Sequence, residues 1–166
     1  CLHFLDKLNI QSTNILGWSD GGIIALELAI RQPKRLKKII AFGANSHPSG
    51  VKPNVTENSR FREFLTRANA DYLAMSPEPN RWSEFLKSIT KMWANEPNFS
   101  DLELQNITVP TLVLGGQQEE AIYPAHIEEL SKKIPNSKLI MMPETGHFAM
   151  LEKPEKFNEI VRSFLK

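Results

Sequence analysis

Cysteine is nearly absent from this sequence, and so are long apolar runs and any excess of charge. Cys1 is the only cysteine among 166 residues, which excludes an intrachain disulfide and permits a reducing compartment. The longest apolar stretches, such as residues 23–26 and 111–114, are far too short to span a bilayer. Because 20 basic residues balance 19 acidic ones, we expect no nucleic-acid or membrane partner.

The remaining composition is that of one globular domain. Apolar residues make up 41% of the chain, and a chain of this length buries a sizeable core without disulfides or metal. We expect a cytoplasmic protein. The sequence opens on Cys1 within a helical apolar pattern and not on Met, so we expect that an N-terminal part is missing. The alternative is that Cys1 is the lipid-bearing first residue of a mature lipoprotein.

Apolar runs of strand length alternate with helical patterns along most of the chain. Strands are predicted over residues 13–18, 38–43, 110–116 and 138–142. Helices are predicted over residues 1–9, 21–31, 124–134 and 154–166. Continuous apolar strands separated by helices indicate an α/β fold, with a parallel sheet covered on both faces.

Residues 46–106 interrupt this alternation between the second and third strands. They carry five prolines and two helical apolar patterns, at 61–73 and 82–93. An insertion that leaves the sheet at the carboxyl end of a strand is placed to cover a site there. We therefore predict a helical cap over residues 46–106, between core segments 1–45 and 107–166. The alternative is a packing subdomain that contacts no substrate.

The sequence Gly17-Trp18-Ser19-Asp20-Gly21 joins the first strand to an apolar helix. The pattern G-x-S-x-G in this strand–turn–helix context is typical of a nucleophile elbow. The sharp turn strains Ser19 and leaves room only for small residues at positions 17 and 21. The amide of Asp20 and the helix N-terminus would face an oxyanion. Ser19 is thus the predicted nucleophile, and Asp20 and Trp18 are predicted oxyanion or substrate-binding residues.

A serine nucleophile needs a base, and His147 is the best placed of the four histidines. It follows the last predicted strand, where a loop at the strand's carboxyl end would reach Ser19. The other three are interpreted as solvated or capping residues: His3, His47 and His126.

A buried carboxylate must then orient the imidazole. Glu119 and Glu120 both follow the third predicted strand, and either of them fits. Residues 43–48 contain no Asp or Glu, so the end of the preceding strand offers no rival.

With this order of serine, acid and histidine, the chain resembles the C-terminal two-thirds of an α/β-hydrolase. The family's histidine motif, G-H-x-x-x-x-E-x-P-x-x-F, is matched by Gly146, His147, Glu152, Pro154 and Phe157. In the family the acid is usually Asp, third after the glycine that ends its strand. Counting from Gly116 selects Glu119, so the departure from the family is glutamate in place of aspartate.

The resemblance implies that the first third of the fold lies outside these residues. That part would hold the second oxyanion amide and the strand that pairs with the serine strand. Losing one oxyanion donor costs about 10²–10³ in kcat, and an apolar edge strand favours aggregation. We therefore expect these residues alone to be inactive and aggregation-prone.

A serine nucleophile argues against epoxide hydrolases and haloalkane dehalogenases. Residues 17–23, 43–45 and 142–144 are similar to the valacyclovir hydrolase or biphenyl-hydrolase-like group. This resemblance implies hydrolysis of small esters, α-amino acid esters among them, through a Ser-Glu-His triad and an acyl-enzyme. Asp20 would either pair with a substrate ammonium or act as a charge at the helix N-terminus.

The mechanism requires no cofactor, and no His, Cys, Asp or Glu cluster has metal-ligand spacing. A carbon–carbon bond hydrolase and a proline-type aminopeptidase would use the same triad. A non-catalytic binding protein with this fold is a further alternative. The sequence leaves the oligomeric state open.

Overall fold

A computed structural model describes all of residues 1–166, and its centre is one sheet of four parallel strands. In the order in which they pair, the strands are β1 Thr13–Trp18, β2 Leu36–Phe42, β3 Thr111–Gly116 and β4 Ser137–Met142. Each lies within two residues of its predicted bounds, so the predicted parallel sheet is confirmed. β1 pairs with β2 alone and forms an edge of the sheet.

Eight helices surround the sheet. They are α1 Leu2–Lys7, α2 Asp20–Arg31, α3 Ser59–Met75, α4 Trp82–Asn95, α5 Asp101–Gln105, α6 Pro124–Lys133, α7 Ala149–Glu152 and α8 Pro154–Leu165. α6 and α8 begin at prolines, which have no amide hydrogen to leave unpaired in the first turn. None of the helices is both long and apolar enough to cross a membrane.

Alternate residues of the strands face two separate apolar layers. Ile39, Ala41 and Val113 pack with α2 and α6 on one side of the sheet. Phe42 and Leu114 pack with α8 on the other. A shift of one residue in the pairing of a strand would move its side chains to the opposite face of the sheet. The two apolar layers therefore fix the register of the strands, and the carboxyl ends of these parallel strands lie together.

The chain between β2 and β3 contains α3, α4 and α5. Phe61 of α3 is buried in the core, and Phe64 and Trp93 pack against it. α4 has no buried residue, although its sequence is strongly amphipathic. The apolar faces of α3 and α4 therefore border a cavity and do not form a filled core.

Candidate active site

Ser19 sits in a strained turn between β1 and α2. Its φ of 54° and ψ of −120° lie where residues with side chains are uncommon. The turn is held by the Ser19 amide, which donates to the carbonyl of Phe42 at 2.8 Å. A Cβ on Gly17 would lie 2.0 Å from the carbonyl oxygen of Gly21, so the turn forms only with glycine at position 17.

The expectation that position 21 must be small is wrong in this structure. A Cβ built on Gly21 meets no heavy atom within 4 Å, so there is room for a side chain at that position. The tight position is the next one, since a Cβ on Gly22 would approach the Cβ of Ala44 to 2.9 Å. Close helix–sheet packing therefore depends on Gly22.

His147 and Glu119 form a fully buried acid–base pair. The imidazole Nδ1 lies 2.7 Å from Oε1 of Glu119, with both side chains at most 1% exposed. Oε1 also accepts hydrogen bonds from the amides of Ala121 and Ile122, at 2.9 and 3.3 Å. Nδ1 is not aligned for a straight hydrogen bond to the carboxylate, and Oε2 has no partner. The two amides therefore fix the carboxylate next to the imidazole.

Gly43 forms one wall of this pair. Its φ is +59°, and a Cβ there would lie 2.9 Å from both Cε1 and Nδ1 of His147. Since Gly43 follows Phe42, whose carbonyl holds Ser19, the imidazole and the strained serine adjoin the same stretch of backbone. Sequence reasoning missed Gly43, although a glycine directly after an apolar strand was the available signal.

Glu120 makes different contacts from its neighbour. Its carboxylate accepts a hydrogen bond from the backbone amide of His147 at 2.6 Å and pairs with Arg60 at 3.1 Å. Of the two glutamates that the sequence offered, Glu119 therefore contacts the imidazole and Glu120 contacts the main chain.

The other polar contacts of His147 leave Nε2 free. Trp18 donates from Nε1 to the carbonyl of His147 at 2.8 Å, Glu120 binds the amide, and Glu119 lies at Nδ1. The rings of Trp18 and Phe61 pack beside the imidazole, with centroids 5.4 and 6.3 Å away. Nε2 is the nitrogen that would take a proton from a serine hydroxyl.

Two cavities adjoin Asp20 at the start of α2. One of about 360 Å³ is lined by Ser19, Asn45 and Lys52, among others. A larger one of about 540 Å³ lies between α3 and α4, is lined mostly by apolar and aromatic residues, and does not include Ser19. Asp20 and Trp93 line both cavities, whereas Trp18 lines neither of them.

Asp20 is bound by an indole and not by a cation. Trp93 donates from Nε1 to both carboxylate oxygens of Asp20, at 3.0 and 2.9 Å. Neither lysine nor arginine pairs with this carboxylate, and it is half-buried. A partly dehydrated anion therefore stands where the two cavities meet.

Two further residues near the site have roles that sequence reasoning missed. Lys52 donates from Nζ to the carbonyl of Glu119 at 2.5 Å and so helps to hold the acid loop. His126, interpreted above as a solvated or capping residue, is half-buried, and its Nε2 accepts a hydrogen bond from the amide of Ser46 at 3.0 Å. Burial lowers the pKa of His126 below its ordinary value.

Comparison with known sequences points to one family. The sequence profile described as "Alpha/beta hydrolase family" matches residues 1–160. The chain is 28% identical to the serine hydrolase BPHL of Mus musculus, over 98% of this chain and 57% of that protein. It is 26% identical to the 2-hydroxymuconate semialdehyde hydrolase of Pseudomonas putida, over 97% of this chain and 65% of that protein. The chain thus spans less than two-thirds of the length of these relatives.

Solved structures share the fold. The meta-cleavage product hydrolase CumD of Pseudomonas fluorescens IP01 superposes with a TM-score of 0.78 at 20% identity, over 99% of this chain and 68% of that one. Est816, described as an N-acyl homoserine lactone degrading enzyme, gives 0.69 at 24% identity, over 98% and 71%. The predicted α/β-hydrolase fold is confirmed.

Proposed function

Since the chain belongs to the alpha/beta hydrolase family, we propose that it carries the catalytic residues of an enzyme that hydrolyses carboxylic esters. Ser19 is the nucleophile, His147 the general base and Glu119 the acid that orients it. The observation that carries this proposal is the buried Glu119–His147 pair at 2.7 Å, which adjoins the same end of β2 as a serine with a φ of 54°. A strained serine and a dehydrated acid–base pair are both costly to maintain, and acyl transfer uses both.

The reaction proceeds in two steps. Ser19 Oγ attacks the ester carbonyl while Nε2 of His147 takes its proton, and Glu119 stabilises the imidazolium. The amide of Asp20, at the N-terminus of α2, donates to the oxyanion. His147 then returns the proton to the leaving alcohol. Water enters, His147 acts again as base, and the acid is released from Ser19.

The substrate class that we propose is esters of α-amino acids. Asp20 supports it, because this half-buried carboxylate adjoins Ser19 in the wall of the cavity and has no cationic partner. An ammonium group bound there would complete an ion pair in a poorly hydrated setting. The apolar cavity between α3 and α4, two helices of the cap that we propose for residues 46–106, would receive the rest of the substrate.

The first test is labelling of the complete protein by a fluorophosphonate. We expect modification at Ser19, hydrolysis of a 4-nitrophenyl ester, and loss of both in Ser19→Ala. The matched control is Ser83→Ala, at an exposed serine on α4, which should behave as the wild type. Failure of the wild type to label or hydrolyse would instead favour a non-catalytic binding protein.

The second test concerns Asp20. Asp20→Asn keeps an oxygen for the Trp93 indole but removes the charge. We expect the preference for an aminoacyl ester over the matching simple acyl ester, as a ratio of kcat/KM, to fall about 10- to 100-fold, the value of a charged hydrogen bond. Asp71→Asn, in the wall of the larger cavity only, is the control. An unchanged ratio would leave Asp20 as a charge at a helix N-terminus.

A carbon–carbon bond hydrolase is the second candidate. The similarity to a 2-hydroxymuconate semialdehyde hydrolase over 97% of the chain supports it. The same three residues would serve that reaction, and the difference would lie in the cavity. Incubating the protein with a 2-hydroxy-6-oxodienoate and with an aminoacyl ester, each followed by absorbance, separates the two candidates.

A further inference from the structure

Two carboxylates hold the backbone of the loop that carries His147. Oε2 of Glu152 accepts a hydrogen bond from the amide of Gly146 at 2.7 Å, and Oε2 of Glu120 accepts one from the amide of His147 at 2.6 Å. Hydrogen bonds to an ionised acceptor are shorter and stronger than those between neutral groups. Two successive peptide units beside the imidazole are therefore fixed by side chains from outside the loop.

Arg60 joins these two carboxylates. Its Nη1 contacts Oε1 of Glu120 at 3.1 Å and also contacts Oε1 of Glu152. No other lysine or arginine pairs with either glutamate. The carboxyl side chains are only 10% and 19% exposed, so without Arg60 two poorly hydrated negative charges would repel each other next to the loop.

Arg60 belongs to α3 and is itself held in place. It lies in the first turn of the helix, where the side chain of Asn58 accepts a hydrogen bond from its amide at 3.0 Å. The next residue, Phe61, lines the cavity of Ser19. The position of α3 is thereby linked to the position of the His147 loop.

We propose that Arg60, Glu120 and Glu152, here called the Arg60 clamp, position His147 for proton transfer and make that position depend on α3. The proposal rests on the proposed role of His147 as the base. These three are positioning residues, because none of them lines the Ser19 cavity. The clamp also gives Glu120 a role that its neighbour Glu119 does not share.

The test compares Arg60→Met with Arg62→Met in the complete protein. Arg62 lies on the same helix, is exposed and forms no ion pair, so Arg62→Met should match the wild type. In Arg60→Met we expect kcat for a 4-nitrophenyl ester to fall roughly 10- to 100-fold with KM unchanged, as for a displaced catalytic group. Arg60→Lys should recover part of the loss, and amide hydrogen exchange at Gly146 and His147 should quicken in Arg60→Met.

Exchange and catalysis are measured separately, so failures of the two proposals are distinguishable. If the wild type neither hydrolyses esters nor labels, the proposed function fails, and exchange alone decides whether the clamp holds the loop. If Arg60→Met matches Arg62→Met in both exchange and kcat, the clamp is overturned. If Arg60→Met does not fold, Glu120→Gln replaces it and is judged by the same two outcomes.

Discussion

Gly43 offers a sharp test of how the proposed base is held, through the substitution Gly43→Ala. Its backbone has a φ of +59°, and the new methyl group would lie 2.9 Å from two atoms of the imidazole of His147. The imidazole is enclosed by protein, since its side chain is 1% exposed, so a displaced ring would press against its neighbours. The substitution therefore perturbs both the backbone and the acid–base pair.

The two contributions can be estimated separately. A residue with a side chain in the left-handed region costs roughly 1–2 kcal/mol. Forcing a methyl group into a packed interior costs about 1–3 kcal/mol. We therefore expect Gly43→Ala to lower the free energy of unfolding by roughly 2–5 kcal/mol. A displaced imidazole should also lower kcat by about 100-fold.

Urea unfolding and ester hydrolysis measure these effects, with Gly21→Ala as the stability control. Position 21 lies in α2 with open space around it, so alanine there should be neutral or stabilise by up to about 1 kcal/mol. Both variants lose the same flexibility in the unfolded chain, and their difference isolates the native-state cost. If Gly43→Ala keeps the stability and the kcat of the wild type, Gly43 does not fix the position of His147.

The other predictions concern the two glutamates and the half-buried His126. Glu119→Gln should lower kcat by about 10⁴-fold, because the imidazole would lose its correct tautomer. Glu120→Gln should lower kcat by at most about 100-fold. Steady-state kinetics measures both, and a larger loss in Glu120→Gln than in Glu119→Gln would contradict this assignment. Because burial lowers the pKa of His126 below 6.5, the unfolded chain binds a proton that the folded protein does not, and stability should fall as the pH drops below about 6.5. Urea midpoints between pH 7.5 and pH 5 should show this fall, and His126→Gln should flatten it.

The sheet was predictable from local pattern alone. β2 and β3 are short apolar runs buried on both faces, which makes them stand out from amphipathic helices. β1 and β4 are apolar runs of similar length, although only one residue of each is buried. The predicted start of β2 at residue 38 was two residues late, because Lys37 and Lys38 separate Leu36 from the apolar run, although Leu36 pairs with Thr13 of β1. α5 was also missed, although Ser100 and Glu103 form a capping box whose S-x-x-E spacing is visible in the sequence.

The sequence predicts the positions of only those site residues that directly follow a predicted strand. The positions of Ser19 and His147 follow from their places after strands whose carboxyl ends meet at one edge. The contacts of Arg60 and Trp93 could not be predicted, because their partners lie 60 to 92 residues away in sequence. No local pattern encodes which face of a helix in an irregular insertion turns toward a loop of the core.

The choice between Glu119 and Glu120 shows where sequence reasoning ends. Spacing from Gly116 favours Glu119, but a glutamate is one methylene longer than the usual aspartate and has to reach the imidazole along a different path. In the structure the longer side chain bends back on its own loop, where the amides of Ala121 and Ile122 bind Oε1 while the same oxygen faces His147. Lys52 donates a hydrogen bond to the main-chain carbonyl of Glu119. The extra length is therefore absorbed by local hydrogen bonds, which is why glutamate fits at this position.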